Sequence, residues 1–272
     1  MTTIAHAAGL SPRRVGAMIL RYWYLLTSSW PRLLEILYWP ALQLLSWGFL
    51  QSYITQNSSL FVRAGGLLVG SVILWDILFR GQLGFSISFM EEMWARNMGN
   101  LMISPLRPIE FLAALMVMSV VRLAIGVIPA TIMAIVFFGF NLYALGFALI
   151  AFFCNLIFTS WSVGIMVSGL VLRNGLGAET LAWTVMFVIL PVTCVYYPVS
   201  ALPGWLQHVA WLLPPTYVFE GMRALLNEHA FRADLMLQAL AMNVVLLCAS
   251  VAIFLMLLKS ARISGALMQS GE

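Results

Sequence analysis

Charged residues are concentrated in one stretch of the chain, EEMWARNMGNLMISPLRPIEF, from residue 91 to residue 111. It carries three carboxylates, on Glu91, Glu92 and Glu110, and two guanidinium groups, on Arg96 and Arg107. Groups of this kind form ion pairs and charge-assisted hydrogen bonds, within a protein or with a partner. The flanking sequence is strongly apolar, so this polar chemistry calls for a structural explanation.

The residue pattern from 89 to 102 predicts an amphipathic helix. Five apolar side chains share one face, and the polar side chains point elsewhere, with Glu92 able to pair with Arg96 one turn later. Ser104 and Pro105 should end this helix, because a residue before proline is disfavoured in helical conformation. The helix is interpreted either as a linker at the membrane surface or as a docking element for a soluble partner.

Three more charged residues, Asp76, Arg80 and Arg122, fall inside apolar segments. Burying charge in a bilayer is costly unless the charge is paired. We therefore expect Asp76 to pair with Arg80, with Arg122 or with both. A structural pair that fixes helix packing is favoured over a substrate or gating site.

Catalytic motifs are absent from the sequence. A phosphate-binding loop ends in Gly-Lys-Ser/Thr, but the single lysine, Lys259, follows Leu258. No HExxH or GxSxG motif occurs, and the three cysteines and three histidines show no metal-ligand spacing. We therefore expect no catalytic residue, no metal site and no cofactor in this chain.

The composition predicts an all-α integral membrane protein. The 272 residues are 62% hydrophobic and 9% charged, whereas soluble domains carry about 25% charged residues. A membrane-spanning helix needs about 20 apolar residues. Six segments meet this requirement, near residues 33–54, 64–86, 110–138, 143–172, 180–199 and 236–258. They leave no room for a soluble domain, so residues 1–272 are predicted to form one transmembrane domain.

The basic residues predict the orientation in the membrane. With the N-terminus inside the cell, ten of the 14 basic residues fall on the cytoplasmic side and three on the outer side. Such a bias follows the positive-inside rule. Six spans then place both termini in the cytoplasm, and the net charge of +4 needs no nucleic-acid partner.

Three segments outside the spans have their own predicted structure. Residues 11–30 suit a helix lying in the membrane interface, with Arg14 and Arg21 directed to lipid headgroups. Residues 88–104 contain the amphipathic helix. Residues 196–231 are apolar but divided by prolines, which predicts short helices that lie on or dip into the outer leaflet.

Two of these segments resemble the type-2 permeases of ATP-binding-cassette (ABC) transporters. The stretch after the second span is similar to the family's acidic start, helix and Ser-Pro-Leu ending. The outer segment is similar to the family's proline-rich stretch before the last span. In this sequence that pattern falls on Pro198, Pro203, Trp205, Pro215, Glu220 and Arg223.

The resemblance implies a membrane subunit of an ABC exporter in the bacterial inner membrane. Two copies would form the pathway, surrounded by lipid, and two copies of a separate ATPase subunit would bind ATP and magnesium. Residues 88–104 would be the coupling helix that contacts the ATPase. The implied coupling residues are Glu91, Glu92, Met93, Trp94, Arg96, Asn97, Met98, Ser104 and Pro105.

Two other function classes remain open. A secondary transporter or channel driven by an ion gradient would need no ATPase, although the scarcity of buried acids argues against proton coupling. An intramembrane enzyme would depend on an isolated polar residue such as Asp76. For the exporter, the expected cargo is hydrophobic or amphipathic, of a drug, lipid or glycan type.

Overall fold

The computed structural model describes residues 11–57 and 67–264, which form α-helices and three short 3-10 turns without any β-strand. Residues 64–66, where the predicted second span begins, lie outside this range. The ten helices of the described residues are α1 (Pro12–Thr27), α2 (Trp30–Asn57), α3 (Leu67–Trp94), α4 (Met98–Ile103), α5 (Pro108–Phe138), α6 (Phe147–Asn174), α7 (Leu181–Ile189), α8 (Gly204–Ala210), α9 (Pro214–Glu228) and α10 (Ala233–Ser264).

Five of these helices, α2, α3, α5, α6 and α10, are long and apolar enough to cross a membrane. They correspond to the first four predicted spans and to the sixth. The expectation of an all-α, multi-pass membrane protein is therefore confirmed. The six-span count stays a prediction.

The predicted fifth span, residues 180–199, contains a much shorter helix. Helix α7 has nine residues, which corresponds to about 14 Å of helix, and turns follow it. Pro191 has no backbone N–H to continue the hydrogen-bond ladder, and Cys194 adopts a positive φ of 56°. Pro191 and the left-handed conformation of Cys194 mark where this apolar segment leaves the helix.

Helices α6 and α10 pack side by side and run in the same direction. Asn155 of α6 lies beside Asn243 of α10, and further along, Gly169 lies beside Phe254. Two parallel helices need a connection that returns to the starting end. Residues 175–232, which include α7, α8 and α9, make this return.

Helix α3 is the most buried of the long helices and packs against both α5 and α6. Glycines permit these close crossings. A Cβ atom on Gly81 would lie 2.9 Å from the Ser160 hydroxyl of α6, and one on Gly84 would lie 3.3 Å from the Ser119 backbone of α5. Helices α2 and α10 lie at the periphery, where large apolar side chains such as Phe49 and Val245 are exposed.

Helices α3, α6 and α10 all end at the same end of the bundle as α1 and α4. The Trp94 indole donates a hydrogen bond to Glu179, which follows α6, and the Arg262 guanidinium contacts Met102 of α4. We call this the basic end, because exposed arginines lie there on several elements. Helices α5 and α2 run away from it.

Candidate functional site

The predicted continuous helix over residues 89–102 is interrupted. Helix α3 extends from the membrane segment to Trp94, and Arg96 then takes a left-handed backbone conformation with φ of 52°. The Asn97 amide donates to the Glu92 carbonyl at 2.9 Å, which closes the turn before α4 begins. Glu91 and Glu92 therefore lie in the last turn of a long helix, and α4 is a separate six-residue helix.

Glu92 is completely buried. Both terminal nitrogens of Arg21 contact its carboxylate, with Nη2 at 3.1 Å from Oε2. The Asn97 side-chain amide donates to the same Oε2 at 2.8 Å. The predicted pair between Glu92 and Arg96 is not formed, because the left-handed turn leaves the Arg96 side chain exposed.

Glu91 has an equivalent partner on α5. The Arg122 Nη2 atom lies 2.9 Å from both Glu91 oxygens, and the two side chains are 7% and 9% exposed. Arg32 of α2 adds a longer contact at 3.5 Å. The suggested pairing of Arg122 with Asp76 is therefore wrong, because the Arg122 guanidinium is taken up by Glu91.

Two arginines of helix α1, Arg14 and Arg21, contact buried carboxylates on α5 and α3. Arg14 Nη2 contacts the buried Glu110 carboxylate at 2.6 Å, and Glu110 also accepts hydrogen bonds from the backbone amides of Ser11 and Arg107. The expectation that Arg14 and Arg21 face lipid headgroups is not met. Buried carboxylates are strongly destabilising without a partner, and these arginines supply the partners.

The apolar face of α1, which the sequence assigns to a helix lying in the membrane interface, packs into the core of the protein. Met18, Tyr22 and Leu26 are buried. Burial raises the pKa of the Tyr22 hydroxyl above its ordinary value, and the negative charge of Glu92 raises it further. Tyr22 is therefore neutral at any physiological pH and acts as a large packing side chain.

Sequence inspection missed the role of these arginines. A usable signal is present, because Arg14 and Arg21 are seven residues apart and so lie on one helix face two turns apart. Two arginines on the inner side of an interfacial helix indicate two buried acids on its neighbours. The structure supplies those acids as Glu110 and Glu92.

The other predicted coupling residues are divided between core and surface. Met93 and Met98 are buried in the hydrophobic core, whereas Trp94 is half exposed. Ser104 donates a hydrogen bond to the Leu101 carbonyl at 2.6 Å. Pro105 is exposed after the end of α4.

Asp76 and Arg80 lie together in α3, with Nε of Arg80 at 3.4 Å from Oδ1 of Asp76. Their side chains are 4% and 13% exposed. The structure thus brings together two of the three charged residues predicted inside apolar segments. Neither Nε of Arg80 nor Oδ1 of Asp76 makes a hydrogen bond of ordinary geometry.

The predicted outer segment contains α8 and α9, and an ion pair within α9 also contacts the turn before α8. Arg223 Nη2 contacts Glu220 Oε1 at 3.0 Å, and the same oxygen accepts a hydrogen bond from the Val199 amide at 2.7 Å. Pro198 borders a cavity of about 410 Å³ beside this pair. Pro203 precedes α8, Trp205 is exposed on α8, and Pro215 is buried in the first turn of α9.

A further polar group between α6 and α10 was not predicted from the sequence. Asn243 donates to the Asn155 side-chain oxygen at 3.1 Å and accepts from the Thr159 hydroxyl at 2.6 Å. An asparagine within each of two apolar segments is the signal that could have indicated this polar contact between α6 and α10. Within residues 11–57 and 67–264, no group of three or more His, Cys, Asp or Glu side chains is placed to hold a metal ion.

A comparison with models of protein families finds a family that matches the sequence of this chain. The model of the family described as ABC-2 type transporter matches residues 17–227, which is more than three quarters of the chain. The matched region begins in α1 and ends in α9, so it includes the ion pairs of Glu91 and Glu92 and most of the outer segment, whereas Arg14 lies before it. A comparison with curated proteins found no significant match.

Proposed function

The chain belongs to the ABC-2 type transporter family, and from this premise we propose that two copies of it form the transport pathway of an ABC exporter. Family membership makes the chain a permease subunit that pairs with an ABC ATPase subunit. We further propose a hydrophobic or amphipathic cargo and a location in the bacterial inner membrane. Both termini would lie in the cytoplasm, and the basic end would face the same side.

The buried ion pairs of the basic end support this proposal most directly. Glu92 joins α3 to α1, Glu91 joins α3 to α5, and Glu110 joins α5 to α1. Removing one partner from an ion pair that is buried on both sides, as Arg122–Glu91 is, costs about 3–5 kcal/mol. The pairs of Arg14 and Arg21, whose side chains are 33% and 37% exposed, contribute less. The three helices therefore resist separation at this end and would move together when the segment after α3 is displaced.

This arrangement can transmit a mechanical signal into the membrane. The displaced segment would be α4 with its flanking turns, which connects α3 directly to α5. Closure of an ATPase dimer against α4 would shift the ends of both helices at once. Rigid-body movement of packed helices is a common way of converting a local event into a larger rearrangement.

Nucleotide chemistry is assigned to the partner subunit in this proposal. The sequence contains no Gly-Lys-Ser/Thr, because its single lysine follows Leu258. ATP and magnesium would therefore bind to the ATPase subunit, and this chain would act without a cofactor of its own.

The first experiment is purification of the tagged chain from its own cells in a mild detergent. Mass spectrometry identifies the partners, and an assay of the purified complex measures ATP hydrolysis. We expect an ABC ATPase subunit in a one-to-one ratio with the chain. An ATPase-free assembly in several detergents, combined with transport that ionophores abolish, would contradict the proposal and indicate an ion-gradient-driven transporter.

A further inference from the structure

The cavity of about 410 Å³ beside α9 lies at the end of the bundle opposite the basic end, because α10 begins here and ends at the basic end. Its volume is within the range of sites that hold small molecules or parts of them. Charged side chains of both signs line it in equal number, the carboxylates of Glu220 and Glu228 and the guanidinium groups of Arg223 and Arg232.

Two of these charges neutralise each other in the wall of the cavity. Arg223 Nη2 lies 3.0 Å from Glu220 Oε1, and the Val199 amide donates to the same oxygen at 2.7 Å. The side chains of Arg223 and Glu220 are 11% and 21% exposed. This pair therefore shapes the cavity and has little capacity left to bind a ligand.

The other two charged side chains keep free hydrogen-bonding atoms. Glu228, the last residue of α9, is exposed and makes no ion pair or side-chain hydrogen bond within the described part of the chain. Arg232 uses Nε and Nη2 for Asp234, at 2.9 and 2.7 Å, which leaves both N–H groups of Nη1 available. The hydrogen bonds to Asp234 raise the pKa of Arg232, and the nearby charge of Glu228 raises it further. A free anionic acceptor and a free cationic donor thus lie close together.

An aromatic ring and apolar side chains adjoin these charges. Trp211 also lines the cavity and is held in place by Tyr217, whose hydroxyl donates to the Trp211 carbonyl at 2.9 Å and whose ring lies 4.9 Å from the indole. An indole ring attracts an ammonium group, and tryptophan is enriched at the depth of lipid headgroups. Leu212 and Phe231, each next to a lining residue in the chain, are 70% and 46% exposed. A ligand in this place therefore meets charged groups and apolar surface together.

We infer that this cavity binds the headgroup of a phospholipid with a primary ammonium group, from the leaflet at this end of the bundle. The ammonium would bind the Glu228 carboxylate and the Trp211 ring, and the phosphate would accept hydrogen bonds from Nη1 of Arg232. Both are contacts between ionised groups, which are stronger than neutral hydrogen bonds. The balanced charges of the lining favour such a zwitterion over an anionic lipid. This binding requires only the membrane location of the chain and is independent of its role as an exporter.

The test is a lipid titration of the complete chain, together with the subunits that co-purify with it, in a mild detergent. Phosphatidylethanolamine, phosphatidylcholine and phosphatidylglycerol with identical acyl chains are added separately, and native mass spectrometry counts the bound molecules. We expect phosphatidylethanolamine to bind about tenfold more tightly than either of the others, a difference of about 1.4 kcal/mol. Phosphatidylcholine has no N–H to donate to Glu228, and phosphatidylglycerol has no cationic group.

Glu228→Gln should weaken the binding of phosphatidylethanolamine about tenfold and leave that of phosphatidylglycerol unchanged, because only the ammonium loses its partner. Glu35→Gln is the matched control, since it makes the same change on an exposed carboxylate of α2, away from the cavity. It should bind all three lipids as the unmodified chain does.

Equal binding of the three lipids, or full affinity for phosphatidylethanolamine in Glu228→Gln, would overturn the inference. Competition with soluble glycerophosphoethanolamine separates a lipid from a free zwitterion of the same chemistry. We expect this headgroup without acyl chains to displace the lipid only at concentrations about 100-fold higher, because it lacks the apolar contacts. Displacement at equal concentration would assign the cavity to a soluble zwitterion and overturn the lipid assignment.

Discussion

At the level of single residues, the contact between Arg122 and Glu91 shows how this protein keeps charge inside an apolar bundle. Arg122 lies in the second quarter of α5, yet its guanidinium reaches both oxygens of a carboxylate in the last turn of α3. The pair is almost inaccessible to solvent. Its stability therefore depends on the presence of both partners, because each one alone would be a buried unpaired charge.

We expect Arg122→Met to lower the free energy of unfolding by about 3–5 kcal/mol, because Glu91 would keep only the longer contact to Arg32. Thermal unfolding in detergent, followed by tryptophan fluorescence, measures the loss. Arg96→Met, which removes an exposed arginine a few residues from Glu91, should change stability by less than about 0.5 kcal/mol.

The double variant Glu91→Gln, Arg122→Met distinguishes an ion pair from simple packing. Removing both charges takes away the unpaired carboxylate, so the double variant should be more stable than Arg122→Met alone. Equal instability of the single and double variants would show that the Arg122 side chain stabilises the bundle through its contacts rather than through its charge.

At the level of helices, close glycine crossings and interhelical hydrogen bonds hold the bundle together in addition to the ion pairs of the basic end. Helices α2 and α5 cross closely, since a Cβ atom on Gly126 would lie 2.9 Å from the Ile36 carbonyl oxygen. Helices α6 and α10 are joined instead by the hydrogen bonds of Asn243 with Asn155 and Thr159. Interhelical packing and hydrogen bonding are the main attractive forces between helices in lipid.

Gly126→Ala should destabilise the protein by about 1–3 kcal/mol, because the added methyl group must push α2 away from α5. Gly99→Ala is the matched control, since a Cβ atom at Gly99 of α4 would meet nothing within 4 Å. This control should be neutral or slightly stabilising, as alanine favours helix over glycine. Unfolding in a denaturant titration gives both values, and a stable Gly126→Ala variant would argue against the close crossing.

Asn243→Leu should cost about 1–2 kcal/mol, because it removes three hydrogen bonds between α6 and α10 and single bonds of this type contribute about 0.6 kcal/mol on average. Gln238→Leu makes the same polar-to-apolar change at an exposed position of α10 and should not destabilise. Thermal unfolding of the two variants measures how much the contact of Asn243 with Asn155 and Thr159 contributes to stability. An equal loss of stability in Gln238→Leu and Asn243→Leu would contradict a stabilising role for these hydrogen bonds between α6 and α10.

At the level of the whole molecule, the two ends of the bundle differ in chemistry. The basic end gathers α1, α4 and the ends of α3, α6 and α10, with arginines on each of these elements or beside them. The opposite end carries α8, the ion pair of Glu220 with Arg223, and the exposed pair of Arg232 with Asp234. Under the positive-inside rule the basic end should face the cytoplasm.

Labelling with a membrane-impermeant maleimide tests this orientation in a chain whose Cys154, Cys194 and Cys248 have been replaced by alanine. We expect Asn100→Cys, in α4, to react in inverted membrane vesicles and not in intact cells. Trp205→Cys, which is on the exposed side of α8, should react in intact cells and not in inverted vesicles. The reverse pattern would place the basic end outside and exclude a cytoplasmic ATPase at α4.

Much of the helical structure could be predicted because its causes are local. Continuous apolar segments identified the five long helices, and Ser104 before Pro105 marked the end of α4, as the restriction on residues before proline requires. Length and apolarity alone did not reveal that residues 180–199 would break after nine helical residues. The break lies at Pro191 and at the positive φ of Cys194. A proline alone does not end a helix in this protein, because α2 continues through Pro40, so the surrounding packing determines the outcome.

The sequence by itself determined that this protein is a helical membrane protein and which of its segments are apolar enough to span, because apolarity and helix boundaries are properties of neighbouring residues. Only the tertiary structure decided which charges meet. Glu92 has Arg96 four residues away but pairs with Arg21, 71 residues away, and Glu110 pairs with Arg14 across 96 residues. A buried charge takes whichever partner the packing of helices brings within reach, and that packing is set by the fold as a whole.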